Sequence, residues 1–392
     1  MRLTIAIKSR FTVLQATFHT HKISESPFFE PLPDMHDNHR TTKRLIDYIE
    51  KRVLRETFTR IAVDVGLSEW TIRSIFSEFS ARKQKEYHPT TPRFLGIDEA
   101  HLFHHYRCVL TDVEKRTVID LLENRSGAFV TNYLRNMPDK DQIEIVCMDM
   151  WQPYRDAVKT ILLDAKIVID KFHVVRYASE ALEAARKELR KTLPAKQRKL
   201  LIHDRFALLK RPKSLSAHER LVLGYWLTYP TMKQVYDLKE GFYDIFDKSP
   251  DRQTAGQAYS AWLNNLTPAI QPYFEPLTKA VENWHEEIFS YFDLLPNPIT
   301  NAYTEQLNGL IKLINRNGRG YTFDVLRAKI LFSEGVRKVI MPKFNRHVND
   351  LNKIGYMLIS EAVSDYQIRD HGADIYTLCQ KILNGSFFPD QQ

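Results

Sequence analysis

Residues 93–125, RFLGIDEAHLFHHYRCVLTDVEKRTVIDLLENR, decide how the chain folds. Three short apolar runs, 94–98, 106–111 and 117–122, are separated by polar turns, the pattern of adjacent antiparallel strands in a meander. The stretch that follows changes period. GAFVTNYLRNMP (127–138) spaces its apolar residues as a helix does, DQIEIVCMDMW (141–151) is the nearly continuous apolar run of a buried strand, YRDAVKTILLDA (154–165) is a second helix, and KIVIDKFHVVRY (166–177) reads as a further buried strand. The order βββαβαβ predicts an α/β fold with a mixed sheet.

Upstream, residues 40–80 predict three helices. TFTRIAVDVGLSEWTIRSIF (57–76) carries the signature of a helix-turn-helix: Ala62 is small enough for close helix approach, Gly66 makes the turn, and Ser68 caps a helix starting near Glu69. Burying Ile72, Ile75 and Phe76 leaves Glu69, Trp70, Thr71, Arg73 and Ser74 outward, where a recognition helix meets the DNA major groove. The polar segment 81–93, with two prolines, predicts a linker. Downstream, 177–295 shows no strand pattern and reads as helices broken at Pro194, Pro212, Pro230, Pro250, Pro268, Pro272 and Pro276. Its length and its own tryptophans predict a helical insertion domain. ITNAYTEQLNGLIKLINRNGRGYTF (299–323) then resumes as a helix with Leu307, Leu310, Ile311 and Ile314 on one face.

Carboxylates stand out at the strand ends. Asp98 ends the first strand and Asp149 the fourth, so both leave the apolar sheet at its rim. Two carboxylates there suit hard divalent cations such as Mg²⁺ or Mn²⁺, which take oxygen ligands. A pair of such ions, about 3.5–4 Å apart, serves phosphodiester chemistry. A third carboxylate would complete the site, and the candidates are Glu99, Asp112, Asp170 and Glu305. Glu99 should face the opposite side of the sheet from Asp98, Asp112 sits at a hairpin tip, and Asp170 ends a strand as Asp149 does.

Around these acids, Trp151, Pro153 and Tyr154 start the helix after Asp149, while Lys171, His173 and Arg176 follow Asp170 into the neighbourhood of the site. Asn301 and Asn308 share a helix face with Glu305, and Thr300 or Asn301 would cap that helix. Lys312, Arg316 and Arg319 form a basic cluster with NGRGY, where Gly318 would serve as the helix C-cap. A lysine- and arginine-rich run at 185–201 suits DNA backbone contact.

LGIDEAH, YRCVLTD, VCMDMWQPYRDAV, IVIDKFHVVRYA, TNAYTEQLNGLIKLINR and GRGYTFDVLRAKIL, in that order, resemble the DDE transposases of bacterial insertion sequences, most closely the ISL-three group. The likeness covers roughly residues 26–340. It implies a ribonuclease-H-like core interrupted by a helical insertion, two Mg²⁺ (or Mn²⁺) ions, and cleavage of element ends followed by strand transfer into target DNA. Carried over by motif, the acids are Asp98, Asp149 and Glu305, with Asp170 the runner-up from the residues alone. The implied partners are double-stranded transposon ends and target DNA, with a homodimer in the synaptic complex. A non-catalytic DNA-binding relic, acting as repressor or architectural protein, is the rival from another class; a ribonuclease-H-like nuclease or resolvase is a second.

The expected organisation is a truncated or decayed zinc-ribbon remnant at 1–39, a helix-turn-helix at 40–80, a linker at 81–93, catalytic core at 94–176 and 296–340 around an insertion at 177–295, and a helical tail at 341–392. The remnant is expected because the family's ribbon uses cysteines and none precedes Cys108; His19, His21, His36 and His39 are the only metal-capable residues of that kind there. Composition agrees with this picture. The chain of 392 residues is 43% hydrophobic and 27% charged, with a net charge of +8, which allows several packed domains. Charge alternates in blocks: basic to residue 93, acidic over 94–170, basic over 171–220, acidic over 221–304 and basic over 305–345. Basic blocks flanking an acidic core suit a protein that grips phosphates around a metal. Three separated cysteines form no CxxC pair and fit a reducing cytoplasm. No run approaches the ~18 apolar residues of a membrane span, so no membrane partner is expected.

Overall fold

The computed structural model describes residues 33–36, 38–39, 41–194, 198 and 204–333. The tail expected at 341–392 and His19 and His21 of the expected N-terminal remnant lie outside them. Three helices come first, α1 (Lys43–Val53), α2 (Phe58–Val65) and α3 (Glu69–Glu86), and each starts at a hydroxyl cap. Thr42, Thr57 and Ser68 accept the N–H groups of Leu45, Arg60 and Thr71. Gly66 ends α2 in the left-handed conformation, φ 72°, which a side chain would oppose. Ile49, Phe58, Ile61, Ile72, Ile75 and Phe76 close the core of this bundle.

Beyond Phe79 the last turns of α3 bury nothing, yet the helix continues to Glu86, into the segment whose composition suggests a linker. Ion pairs hold its solvated turns, Lys83 to Glu86 at 2.8 Å and Arg82 to Glu50 at 2.7 Å. A polar helix without an apolar stripe is invisible to periodicity.

The sheet contains β1 (Phe94–Leu102), β2 (His105–Asp112), β3 (Thr117–Leu122), β4 (Ile145–Met148) and β5 (Lys166–Ile169), in the order β3-β2-β1-β4-β5. The hairpin strands pair antiparallel, whereas β4 and β5 run parallel to β1. Connections through α4 (Gly127–Arg135) and α5 (Gln152–Ile161) make those parallel pairings possible. The fold is therefore mixed α/β.

KIVIDKFHVVRY is not one strand. β5 stops at Ile169, and α6 (Lys171–Thr192) begins at once, capped by Asp170. Short apolar runs do not distinguish a buried strand from a buried helix; here Val174, Ala178, Ala181, Leu182 and Ala185 bury a helical face.

The helical region contains α7 (Arg205–Leu209), α8 (Ala217–Trp226), α9 (Pro230–Lys248), α10 (Arg252–Asn264), α11 (Gln271–Asn283) and α12 (His285–Phe289). Proline does not always break it: Pro272 lies in the first turn of α11 and Pro276 inside it. The N–H missing at Pro276 removes one helix bond, and burial of Phe274, Leu277 and Val281 offsets that loss. Phe242, Phe246, Tyr259, Trp262 and Phe289 form a continuous aromatic core. Buried Glu287 ties this region to α5, taking Arg155 at 2.7 Å and Lys159 at 2.8 Å.

The opposite face of the sheet carries α13 (Ala302–Gly318) and α14 (Phe323–Phe332). Alternation along β1 sorts its residues: Leu95 and Ile97 join the large core with α4–α6, whereas Ala100 and Leu102 pack with Leu307, Ile311, Leu326 and Ile330. Gly318 is not the left-handed cap at the end of α13. Arg319 takes that role, φ 34°, while Gly318 is buried against the ring of Tyr321, where a Cβ would collide.

Candidate active site

The site follows from strand register. Ile97 pairs with Met148, and Met148 with Ile169, in the parallel part of the sheet. The next residues are Asp98, Asp149 and Asp170, a row of carboxylates where the parallel part of the sheet ends and open α/β sheets bind ligands. Asp98 does not end its strand as expected, because β1 runs on to Leu102 paired with β2, Asp98 opposite Val109.

The three are held differently. Asp98 is only 7% exposed; its Oδ1 accepts the Glu99 N–H at 2.7 Å, and its Oδ2 accepts the Asn308 amide at 2.7 Å. Asp149 is half-buried, and its Oδ1 faces the His173 ring. Asp170 is fully buried. One of its oxygens accepts the Phe172 N–H at the head of α6 and the other the Asn301 N–H at the head of α13, both at 3.0 Å. Asp170 thus joins two helix N-termini 131 residues apart, which suits an anion.

Glu305 lies in the first turn of α13. Its neighbours explain the small and amide-bearing sequence around it. Asn301 donates to the Ile97 carbonyl at 3.2 Å, Thr304 meets Thr111 at 2.7 Å, and Asn308 reaches Asp98. Asn301 therefore stands at the cap position, but its side chain bonds β1 instead of capping the helix. Gly96 permits the close approach: a Cβ there would lie 2.8 Å from Thr304 Oγ1. With that face pinned, Glu305 projects beside the aspartate row.

His173, in the first turn of α6, completes the constellation. Its Nδ1 is 2.9 Å from Asp149 Oδ1 and 4.0 Å from Glu305 Oε1. Donor atoms of Asp170, His173 and Glu305 all fall within 4.8 Å of one another, a group able to hold a metal ion.

Electrostatics reflect crowded acids. Burial, reinforced by the charge of Asp149, pushes the Asp98 carboxyl up to about 7. Burial also raises Glu305, helped by Asp170 and Asp149, and raises Asp170 against the pull of its two N–H donors. Burial works to lower the His173 imidazole, but Asp149 and Asp170 outweigh it and its pKa rises. Carboxylates that resist ionisation together, with Asn308 Oδ1 buried beside them and without a hydrogen bond, form an oxygen-rich donor set suited to a divalent cation.

The remaining expected residues are dispersed. Lys171 turns to Asp247 of α9, 3.9 Å away. Asp112 folds back onto the Lys115 N–H of its own hairpin. Trp70 is 76% exposed on α3, and Thr71 shares a hydrogen bond with Ser68 at 2.8 Å. Arg73 is less free than its position suggests: it pairs with Glu69 at 2.7 Å and lies over the Phe58 ring. Lys312, Arg316 and Arg319 are exposed toward the far end of α13 from Glu305. His39 contacts Glu78 at 3.0 Å, and the His36 ring lies 5.0 Å from its own.

One cluster escapes sequence reasoning. Arg125 pairs with Glu99, on the side of β1 opposite Asp98, and lies over the rings of Tyr106, at 4.2 Å, and Trp151, at 4.6 Å. The signal available was adjacency, since Glu99 and Trp151 each follow an aspartate of the row closely; the Arg125 partner was not visible.

Comparison with known proteins fits this geometry. A family model described as a transposase matches residues 95–330, a span containing the aspartate row, His173 and Glu305. A second, described as the helix-turn-helix domain of transposase family ISL3, matches residues 30–80. The transposase for insertion sequence element IS1001 of Bordetella parapertussis is 24% identical over 292 residues, which cover 72% of this chain and 70% of that protein. With more than half of its length matched and the helix-turn-helix in its expected place, the chain belongs to the ISL3 family of DDE transposases.

Proposed function

We propose that the protein cleaves the ends of an insertion sequence and joins them to target DNA, with Asp98, Asp149 and Glu305 as its metal-binding acids. The observation that carries this reading is the meeting of the aspartate row with the acidic first turn of α13. Strand order and parallel pairing support a ribonuclease-H-like core built from 94–176 and 296–340, with 177–295 as the insertion and 40–80 as the DNA-binding unit. Asp170 takes a positioning role, because both its oxygens are spent on helix N-termini.

Mg²⁺ or Mn²⁺, two ions in this reading, would be held by the three acids and would neutralise developing charge on the scissile phosphate and activate the attacking oxygen. The chain's part is orientation. Asn308 and the Glu99 N–H fix the Asp98 carboxylate, the pinned face of α13 fixes Glu305, and Asp170 holds the heads of α6 and α13 together. In the first step water's oxygen bonds to phosphorus and the bond to the 3′ oxygen breaks, freeing a 3′ hydroxyl. In the second that hydroxyl's oxygen bonds to a target phosphorus, the bond from that phosphorus to the target strand's own 3′ oxygen breaks, and the hydroxyl proton is passed on to the departing oxygen. Exposed Trp70 with Thr71 and Arg73 would read the element's end, and Lys312, Arg316 and Arg319 would bind phosphates. Two ends held together call for a homodimer, acting on chromosomal DNA in the cytoplasm.

The test is a cleavage assay on DNA carrying the element's ends, run beside gel-shift binding. Asp98→Asn, Asp149→Asn and Glu305→Gln should each lower cleavage by about 10³-fold or more, on the scale of losing a major catalytic group, with DNA affinity nearly unchanged. Undiminished cleavage by any of the three would remove that residue from the site. Wild-type binding without cleavage in Mg²⁺ or Mn²⁺ would identify a repressor or architectural protein instead.

A further inference from the structure

The His173 imidazole is placed where none of the three proposed acids explains it. It leaves the head of α6 and puts Nδ1 between Asp149, at 2.9 Å, and Glu305, at 4.0 Å, on two elements far apart in sequence. A histidine serving only to brace Asp149 would align a ring N–H with the carboxylate oxygen. Here Nδ1 lies 2.9 Å from Asp149 Oδ1, both atoms inaccessible to solvent, and the same nitrogen also faces Glu305, a second carboxylate that bracing does not need. An imidazole nitrogen set against two carboxylates is placed to serve, once unprotonated, as a ligand of a cation among them. Donor atoms of Asp170, His173 and Glu305 lie within 4.8 Å of one another; the Asp170 oxygens are engaged by Phe172 and Asn301, and the imidazole is the donor that reaches toward both Asp149 and Glu305.

We propose that His173 is a nitrogen ligand, through Nδ1, of a divalent cation shared with Asp149 and Glu305, making one of the metal positions a mixed imidazole–carboxylate centre. This rests on the reading of those acids as metal ligands and adds a residue and a selectivity to it. Mg²⁺ favours an all-oxygen shell, whereas Mn²⁺ accepts imidazole and stands higher in affinity at nitrogen-containing sites. The centre therefore prefers Mn²⁺ to Mg²⁺, and that preference depends on His173. An unprotonated Nδ1 is needed for coordination, so the ring proton resides on Nε2 when the ion is bound.

The experiment uses the full chain, freed of metal and titrated with Mn²⁺ alone. Electron paramagnetic resonance reads free and bound Mn²⁺, and its pulsed form reads coupling to a directly bound nitrogen. Wild type should bind Mn²⁺ and show imidazole nitrogen coupling. His173→Gln should lose that coupling and weaken Mn²⁺ binding by about 10-fold or more, with a smaller effect on Mg²⁺ measured by competition. Bound Mn²⁺ without nitrogen coupling in wild type, or coupling that persists in His173→Gln, overturns the assignment while leaving the carboxylate site standing. Wild-type protein that binds no Mn²⁺ overturns both readings. The wild-type spectrum decides the matter even if the variant folds poorly.

Discussion

At the scale of single residues, equivalent positions in sequence acquire different roles through their hydrogen bonds. Asp98, Asp149 and Asp170 stand level in the register of the parallel strands, Asp149 and Asp170 just past β4 and β5 and Asp98 within β1. The strand-end placement of Asp149 and Asp170 was legible, because an aspartate closing an apolar run leaves the sheet; Asp98 stays in β1, whose polar continuation is held by pairing with β2. What separates Asp170 from the others was not legible: its partners are backbone N–H groups, one of them 131 residues away, and no side-chain pattern announces them. Asp98 yields a prediction with a definite sign. Its folded pKa, about 7 through burial and the nearby Asp149 charge, lies above the unfolded value of about 3.9. Between those values the folded protein keeps a proton that the unfolded chain has lost, so the stability present at low pH is lost as pH rises through about 7. A divalent cation relieves the same repulsion but competes with that proton. Millimolar Mg²⁺ or Mn²⁺ should therefore raise the melting temperature more at about pH 8 than at about pH 6, and Asp98→Asn should flatten the difference. Equal shifts at both pH values in wild type would show that Asp98 does not take part in metal binding.

At the scale of elements, α13 shows why Glu305 is surrounded by small and amide side chains. Apolar spacing placed Leu307 and Ile311 on the buried face, but it is blind to the polar half of that face. Asn301, Thr304 and Asn308 are buried and paired with Ile97, Thr111 and Asp98, and polar residues read as exposed unless their partners are known. The α6 start was hidden for a related reason, since Val174 and Val175 continue the composition of β5 across a change of conformation at Asp170. The close packing of α13 on β1 depends on Gly96. Gly96→Ala puts a methyl group 2.8 Å from Thr304 Oγ1, against Thr111 and Val113 as well. Overpacking of this kind costs about 1–3 kcal/mol, and relief by displacement of α13 carries Glu305 with it. Chemical denaturation should show that loss of stability, and end cleavage should fall by a larger factor than DNA affinity. A variant with normal stability and normal cleavage would mean that α13 tolerates movement at this contact.

At the scale of the whole molecule, the three-helix unit shares a core with α14 and the segment before it. Composition suggested a bundle joined through a polar linker; tertiary contacts across more than two hundred residues were beyond any local pattern. Tyr321 and Ala328 lie within the core of α1–α3. Arg327 makes a bidentate pair with Asp120 of β3, at 2.7 and 2.9 Å, and also reaches Gln84 of α3. Most telling is Lys329 of α14, which is buried, donates to the carbonyls of Val53 and Glu56, and lies against the rings of Phe58, Phe76 and Tyr321. Burial lowers its pKa to about 7, and yet it satisfies the Val53 carbonyl at the end of α1 and the Glu56 carbonyl in the turn before α2. A lysine so placed ties the three-helix unit to α14 and the sheet, and packing fixes the distance from α3 to the acidic edge. Lys329→Met keeps the stem's volume but strands both carbonyls, at a cost of about 1–3 kcal/mol for an unsatisfied buried acceptor. The melting temperature should fall, and calorimetry of wild type should show α1–α3 unfolding in the same transition as the sheet. The variant should bind end DNA nearly as well while cutting it at a less uniform position, because the bundle no longer holds its register to the site. A separate early transition for α1–α3 in wild type, or unchanged stability and cutting position in Lys329→Met, would mean that the two units act as independent modules.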